Sequence, residues 1–165
     1  MGAAPYLKLG TPAYRAASAA LFMAGFGTFA VLYSVQPLMP RLSVAFGVSP
    51  TVSSLSLSYA TGVLAISMLV VSTVSDRLGR KRLMAVCLFA AAILTIGVAI
   101  SPSWNGLLAL RALTGLVLSG VPAVAMAYLG EEIEGPSLPR AMGLYIGGTS
   151  LGGLTGRLVP AWWST

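Results

Sequence analysis

Charge is what this sequence has least of. Only 8% of its 165 residues are charged, where a soluble domain carries roughly a quarter. The hydrophobic share is 56% and the mean hydropathy +0.86, which excludes an ordinary soluble globule. Histidine is absent and only four residues are acidic. No nucleophile–base pair, metal-ligand cluster or phosphate-cradling loop can be assembled from what remains, so no enzyme, metal or cofactor is expected. The one cysteine, Cys87, sits in an apolar run without a disulfide partner or metal-ligand spacing. The net charge of +6 and pI near 10 raise the question of nucleic acid. Yet the bases are spread among hydrophobic runs with no basic-aromatic platform or groove-reading helix, so nucleic acid is not an expected partner.

What the sequence has in abundance is long apolar runs. At about 20 residues per crossing the length accommodates about five membrane helices with short connections. A leader covers 1–16 and a transmembrane bundle 17–165, with spans near 17–38, 51–74, 83–100, 106–129 and 140–160. The first run is longer than the roughly 7 to 15 residues of a signal peptide's apolar region and lacks a small-residue cleavage site, so it reads as a span. Pro37 and Pro40 end it, Ser101-Pro102-Ser103 breaks the chain after the third run, and Trp104, Trp162 and Trp163 stand where indole rings favour the headgroup level. Pro122 lies inside the fourth span, where it frees the carbonyl of Leu118 and implies a kink.

Loop charges set the expected orientation. Lys8, Arg15, Arg77, Arg80, Lys81, Arg82 and Arg140 fall on one side and only Arg41 on the other. Lys and Arg accumulate on the cytoplasmic side, so the amino terminus is expected inside and the carboxyl terminus outside. All four acids, Asp76, Glu131, Glu132 and Glu134, then lie inside as well. Asp76 and the glutamates come at C-terminal ends of spans, where the helix dipole disfavours negative charge. The dense cationic cluster on that face is Arg77 to Arg82. A cytoplasmic clasp is therefore expected in which Glu131 or Glu132 meets Arg80 or Arg77, the bland alternatives being solvated charge and a topology anchor. Gly79 supplies a position where the chain can turn out of the helix.

Polar groups within the spans are few. Arg111 lies about 7 to 8 Å inside the fourth span at 1.5 Å per residue; it either snorkels to the interface or faces a cavity. Arg157, nearer an end, reads as a snorkelling residue. Tyr33, Gln36 and Tyr145 are candidate substrate contacts. Gly148, Gly152 and Gly156 recur every four residues and form a stripe that lets another helix approach, with Gly153 beside it. The third span is poorest in polar groups and suits a lipid-facing position. No carboxylate or histidine occurs within any span, so a proton-coupling group is either outside this segment or not used.

These residues resemble a known family. Asp76-Arg77-Leu78-Gly79-Arg80-Lys81 resembles the signature loop between the second and third spans of the major facilitator superfamily, with Ser72 and Val74 in place of a glycine and a leucine. Arg111-Ala112-Leu113-Thr114-Gly115 is similar to its intramembrane arginine pattern, with Thr114 in place of glutamine. Gly148-Thr149-Ser150-Leu151-Gly152-Gly153 resembles its glycine-rich antiporter signature, with Thr149 where proline is usual. Tyr33 to Pro40 resembles bacterial drug and sugar efflux members. The resemblance implies an all-α membrane protein whose five helices form an incomplete six-helix half, with the first, second, fourth and fifth spans lining a cavity and the third outermost. It implies a gate around Asp76, Arg77, Gly79, Arg80 and Lys81, and a substrate or coupling role for Arg111. The expected function is the amino-terminal fragment of a bacterial inner-membrane exporter of small organic molecules, inactive without its missing carboxyl-terminal half or another chain. The alternative is a small oligomeric channel or scaffold packed through the glycine stripe.

Overall fold

The computed structural model describes residues 6–164; the side chains of residues 72–78, 163 and 164 lie outside that description. Among the described residues there is no strand, and eight helices follow one another. They are α1 (Pro12–Tyr33), α2 (Met39–Phe46), α3 (Pro50–Ser53), α4 (Leu55–Leu78), α5 (Arg80–Ala99), α6 (Trp104–Leu118), α7 (Gly120–Glu132) and α8 (Leu138–Ser164). Four helical segments are long and apolar enough to cross a membrane: Pro12–Phe46, Pro50–Val71, Arg80–Ala99 and Trp104–Glu132. The fifth long segment, α8, has 27 residues and spans roughly 40 Å. Its glycines, Thr149, Ser150 and Arg157 make it the least apolar of the five, and three of the glycines are turned against α1.

Helix boundaries follow local chemistry. Thr11 caps α1 by accepting from the Tyr14 amide at 3.2 Å, and Pro12 takes the first helical position, where a missing N–H costs nothing. The first expected span stops at Tyr33; Pro37 diverts the chain into a 3₁₀ turn over Gln36–Leu38. Ser103 caps α6 by accepting from the Gly106 amide at 3.2 Å. The kink expected from Pro122 is a break between α6 and α7 at Ser119, one residue past Leu118, whose carbonyl the proline cannot serve.

The bundle is built from two parallel pairs. In the first, a Cβ built on Gly148, Gly152 or Gly156 of α8 would collide with the backbone of Phe22, Phe26 or Ala30 of α1, respectively. The two helices therefore run in the same direction in contact from one four-residue step to the next. In the second, Gly115 of α6 lies against the backbone of Ala60 of α4. α5 packs against both α6 and α7, with Cys87 beside Gly120. The glycine stripe is thus occupied within the chain, which removes the surface that the oligomeric channel reading requires.

The outward face of α5 carries Val86, Phe89, Ile93, Ile96 and Ile100, all more than half exposed. Their spacing of three and four marks one continuous apolar stripe, which suits lipid. The buried core lies between the pairs. Tyr14, Leu21, Val124, Tyr128, Leu129 and Tyr145 gather at the end that bears the charged turn, and Leu32, Ala60, Leu64, Ala91 and Leu118 towards the other.

Candidate functional site

At the charged end, Gly79 adopts a φ of 80°. That left-handed value is open to glycine and strained for other residues, and it lets α4 reverse into α5 with one intervening residue. Replacing Gly79 with Ala is expected to cost about 1 kcal/mol or more, read as a lower melting temperature of the purified chain. An unchanged melting temperature would mean the turn relaxes without penalty.

Arg80 is the first residue of α5 and Glu131 stands in the last turn of α7. Each charge is at the end of its helix that the dipole disfavours, and the fold brings them together. Arg80 Nη2 donates to Glu131 Oε1 at 2.6 Å, and Nη1 lies 2.5 Å from Oε2. This two-point fork satisfies both misplaced charges at once. The Arg80 side chain is 18% exposed and that of Glu131 65%, so the pair is wet and contributes at most about 1 kcal/mol to stability. Lys81 Nζ lies 5.6 Å from the Tyr128 ring centroid. With Arg82 and Glu132 these residues line an open groove of about 710 Å³. Glu132 offers its backbone carbonyl to the Leu7 amide at 2.8 Å; the ion pair belongs to Glu131. Asp76 and Arg77, the other side chains of the expected gate, lie outside the described residues.

A second feature of this end had no signal in the sequence. The stretch before α1 is hydrogen-bonded to the connector before α8: Glu134 N donates to Leu7 O at 3.2 Å, Leu9 N to Ser137 Oγ at 3.1 Å, and Tyr14 Oη to Ser137 O at 3.3 Å. The leader, expected over 1–16, is thus hydrogen-bonded to the rest of the chain from Leu7 onward. Most of these acceptors and donors are backbone groups, which every residue carries.

Arg111 is 2% exposed. It does not snorkel, because its guanidinium reaches sideways across the bundle. Nε donates to Ser56 O at 3.0 Å and Nη2 to Leu32 O at 2.7 Å, while Nη1 lies 3.5 Å from Val31 O. Leu32 and Val31 belong to the last turn of α1, whose carbonyls have no helical donor. The cation therefore caps the negative end of α1 and ties it to the first turn of α4. These bonds commit the group to backbone, so the substrate or coupling role expected of Arg111 meets a side chain already engaged on the carbonyls of Ser56 and Leu32.

Tyr33 and Gln36 are brought together, with Arg157 between them. Arg157 Nε donates to Gln36 Oε1 at 2.8 Å, and its guanidinium carbon lies 4.1 Å from the Tyr33 ring centroid. The Arg157 side chain is thus held against the C-terminal end of α1 and the turn that follows it. Tyr145 does not join them. It lies twelve residues earlier on α8, roughly 18 Å along the axis, buried near Tyr14 and against Gly25, and its hydroxyl has no partner among the described residues.

Residues 20–165 match the family described as the Major Facilitator Superfamily. The chain is 51% identical over 154 residues to the uncharacterised MFS-type transporter YybF of Bacillus subtilis, an alignment covering 93% of this chain and 38% of that one. It is 49% identical to the inner membrane transport protein YnfM of Escherichia coli, over 93% of this chain and 37% of that one. It is 47% identical to the uncharacterised transporter BU588 of Buchnera aphidicola, over 94% of this chain and 38% of that one. The chain thus spans well under half the length of these relatives. No solved structure matches it significantly. With two glycine-packed parallel helix pairs, a charged turn after the second span and a family match that begins in the first helix and runs through the last, this chain belongs to the Major Facilitator Superfamily.

Proposed function

We propose that this chain is the amino-terminal portion of a secondary active transporter that exports small organic molecules from the bacterial cytoplasm. It works by alternating access against a second helical bundle and is inactive alone. The amino terminus and the charged end face the cytoplasm, by the excess of Lys and Arg there. The bilayer in question is the inner membrane, as the name of the E. coli relative suggests. None of the four acids of this chain lies in a span, so a proton-coupling group, where one is used, belongs to the transporter outside this segment.

The observation that carries the reading is the Arg80–Glu131 pair. It is bidentate, so it has a defined geometry, and wet, so it breaks at little cost. Such a contact suits a latch that opens once per cycle at the cytoplasmic end. Asp76, Arg77, Gly79 and Lys81 complete the gate in this proposal, and rocking of one bundle against the other supplies the motion.

The test is a chimera joining this segment to the remaining length of YnfM, assayed for efflux of a panel of small organic compounds from cells. Arg80→Glu is expected to lower transport at least about tenfold while shifting stability by no more than about 1 kcal/mol. Arg80→Glu with Glu131→Arg is expected to restore most of the rate. Equal loss in the single and double variants would show that the pair is not a latch. A chimera that moves no compound would count against the transporter reading itself.

A further inference from the structure

The far end of the bundle holds a cation with part of its coordination already built. Gln36 accepts from Arg157 Nε, and the face of the guanidinium rests on the Tyr33 ring. Gly153 stands one turn before Arg157 on α8. A Cβ placed there would already touch Tyr33 Cδ2 at 3.4 Å and approach Arg157 Nη1 at 4.0 Å. Gly153 thus borders both the ring and the guanidinium, at ordinary contact distances.

These restraints fix the plane and direction of a group that is normally among the most mobile of side chains. Stacking uses its face and the Gln36 bond uses Nε. What remains is the pair of Nη atoms, which present two roughly parallel N–H bonds in the geometry that matches two oxygens of one carboxylate. Arg157 and Gln36 are both exposed, so that edge is open to an incoming group.

The four acidic residues lie at the other end of the bundle. Asp76 stands in the last turn of α4, and Glu131, Glu132 and Glu134 lie at or just after the end of α7. Arg157 lies nineteen residues beyond Leu138, roughly 28 Å along α8 from that end. An arginine in a span without an internal counter-ion is costly, and the other intramembrane arginine, Arg111, resolves this with backbone carbonyls that Arg157 does not reach. Among the described residues Arg157 has no carboxylate partner.

We propose that Arg157, held by Gln36 and Tyr33 over Gly153, is a carboxylate-binding fork, and that the molecules moved by the transporter carry a carboxylate. The role assigned to the bound molecule rests on the transporter reading, whereas the binding does not. The experiment uses the 165-residue chain in phosphatidylcholine nanodiscs with ¹⁵N-labelled arginine, titrated with benzoate and, separately, with its neutral isostere benzamide. Benzoate is expected to shift the Arg157 side-chain resonance saturably, with benzamide at least about tenfold weaker because it forms no charge-assisted pair. Arg157→Lys keeps the charge but loses the fork and is expected to weaken benzoate at least about tenfold. Gln36→Ala, which frees the fork without removing it, is expected to weaken it about threefold, with melting temperatures reported for both. Absence of a saturable shift, equal binding of benzamide, or full affinity in Arg157→Lys would each overturn the fork. Failure here leaves the transport test of Arg80 and Glu131 untouched, and failure of that test leaves benzoate binding to be read on its own.

Discussion

Gly152→Leu is expected to prevent α1 and α8 from pairing and to leave little folded protein. A Cβ at this position would stand 2.7 Å from the Phe26 Cα, and closer still to the Phe26 carbonyl oxygen. The obstructing atoms are backbone, so no rotamer change can relieve the clash and the helices must separate. Separation also opens the contacts at Gly148 and Gly156, because the three glycines share one line on α8. Overpacking in a core commonly costs about 1 to 3 kcal/mol and occasionally more; loss of a whole helix seam places this variant at or above the upper end. The measurement is thermal unfolding in detergent, together with crosslinking between cysteines introduced at Ala30 and Thr155 in a Cys87→Ser background. Retained crosslinking and an unchanged melting temperature would show that α8 does not depend on this seam. Gly147→Leu is the internal control, since a Cβ there meets nothing within 4 Å, and it is expected to be tolerated.

Arg111→Met is expected to destabilise the bundle by about 3 kcal/mol, taking two charge-assisted bonds at roughly 1.5 kcal/mol or more each and counting the 3.5 Å contact to Val31 as negligible. The methionine stem fills most of the same volume, so the loss is chiefly that of the donors. The carbonyls of Leu32 and Ser56 are then left without the donors that Arg111 supplies. Arg111→Lys keeps a charge but cannot reach α1 and α4 at the same time with one nitrogen, so it should recover only part of the difference. The same thermal unfolding experiment reads both variants. If Met is as stable as Arg, the cation is not a structural cap, and a direct role with substrate regains its place.

Much of this arrangement was legible in advance because membrane proteins expose their length and charge rules plainly. The Arg80–Glu131 contact follows from two facts readable in the chain: each charge stands at the wrong end of a helix, and both ends lie on one side. The Gly148, Gly152 and Gly156 spacing likewise specifies a line of close approach. It does not specify the neighbour, and Phe22, Phe26 and Ala30 carry no mark identifying them as its partners. Arg111 and Arg157 show the same limit from another direction. Sequence gives the depth of a residue along a span, but not the direction its side chain takes. One arginine goes to backbone carbonyls, which have no residue signature, and the other to a tyrosine on a different helix. The Leu7 and Leu9 contacts are hidden for the same reason, since they involve main-chain amides.

The pairing of α1 with α8 also imposes an order on synthesis. α1 has as its main neighbour the last helix described, and the segment before it waits for Ser137, which lies 128 residues after Leu9. At about 5 to 20 residues per second, that interval is roughly 6 to 26 s, during which α1 stands in the bilayer with the backbone of Phe22, Phe26 and Ala30 uncovered by α8. Throughout that time a chaperone or insertase can hold this surface, and a competing glycine-striped helix can claim it.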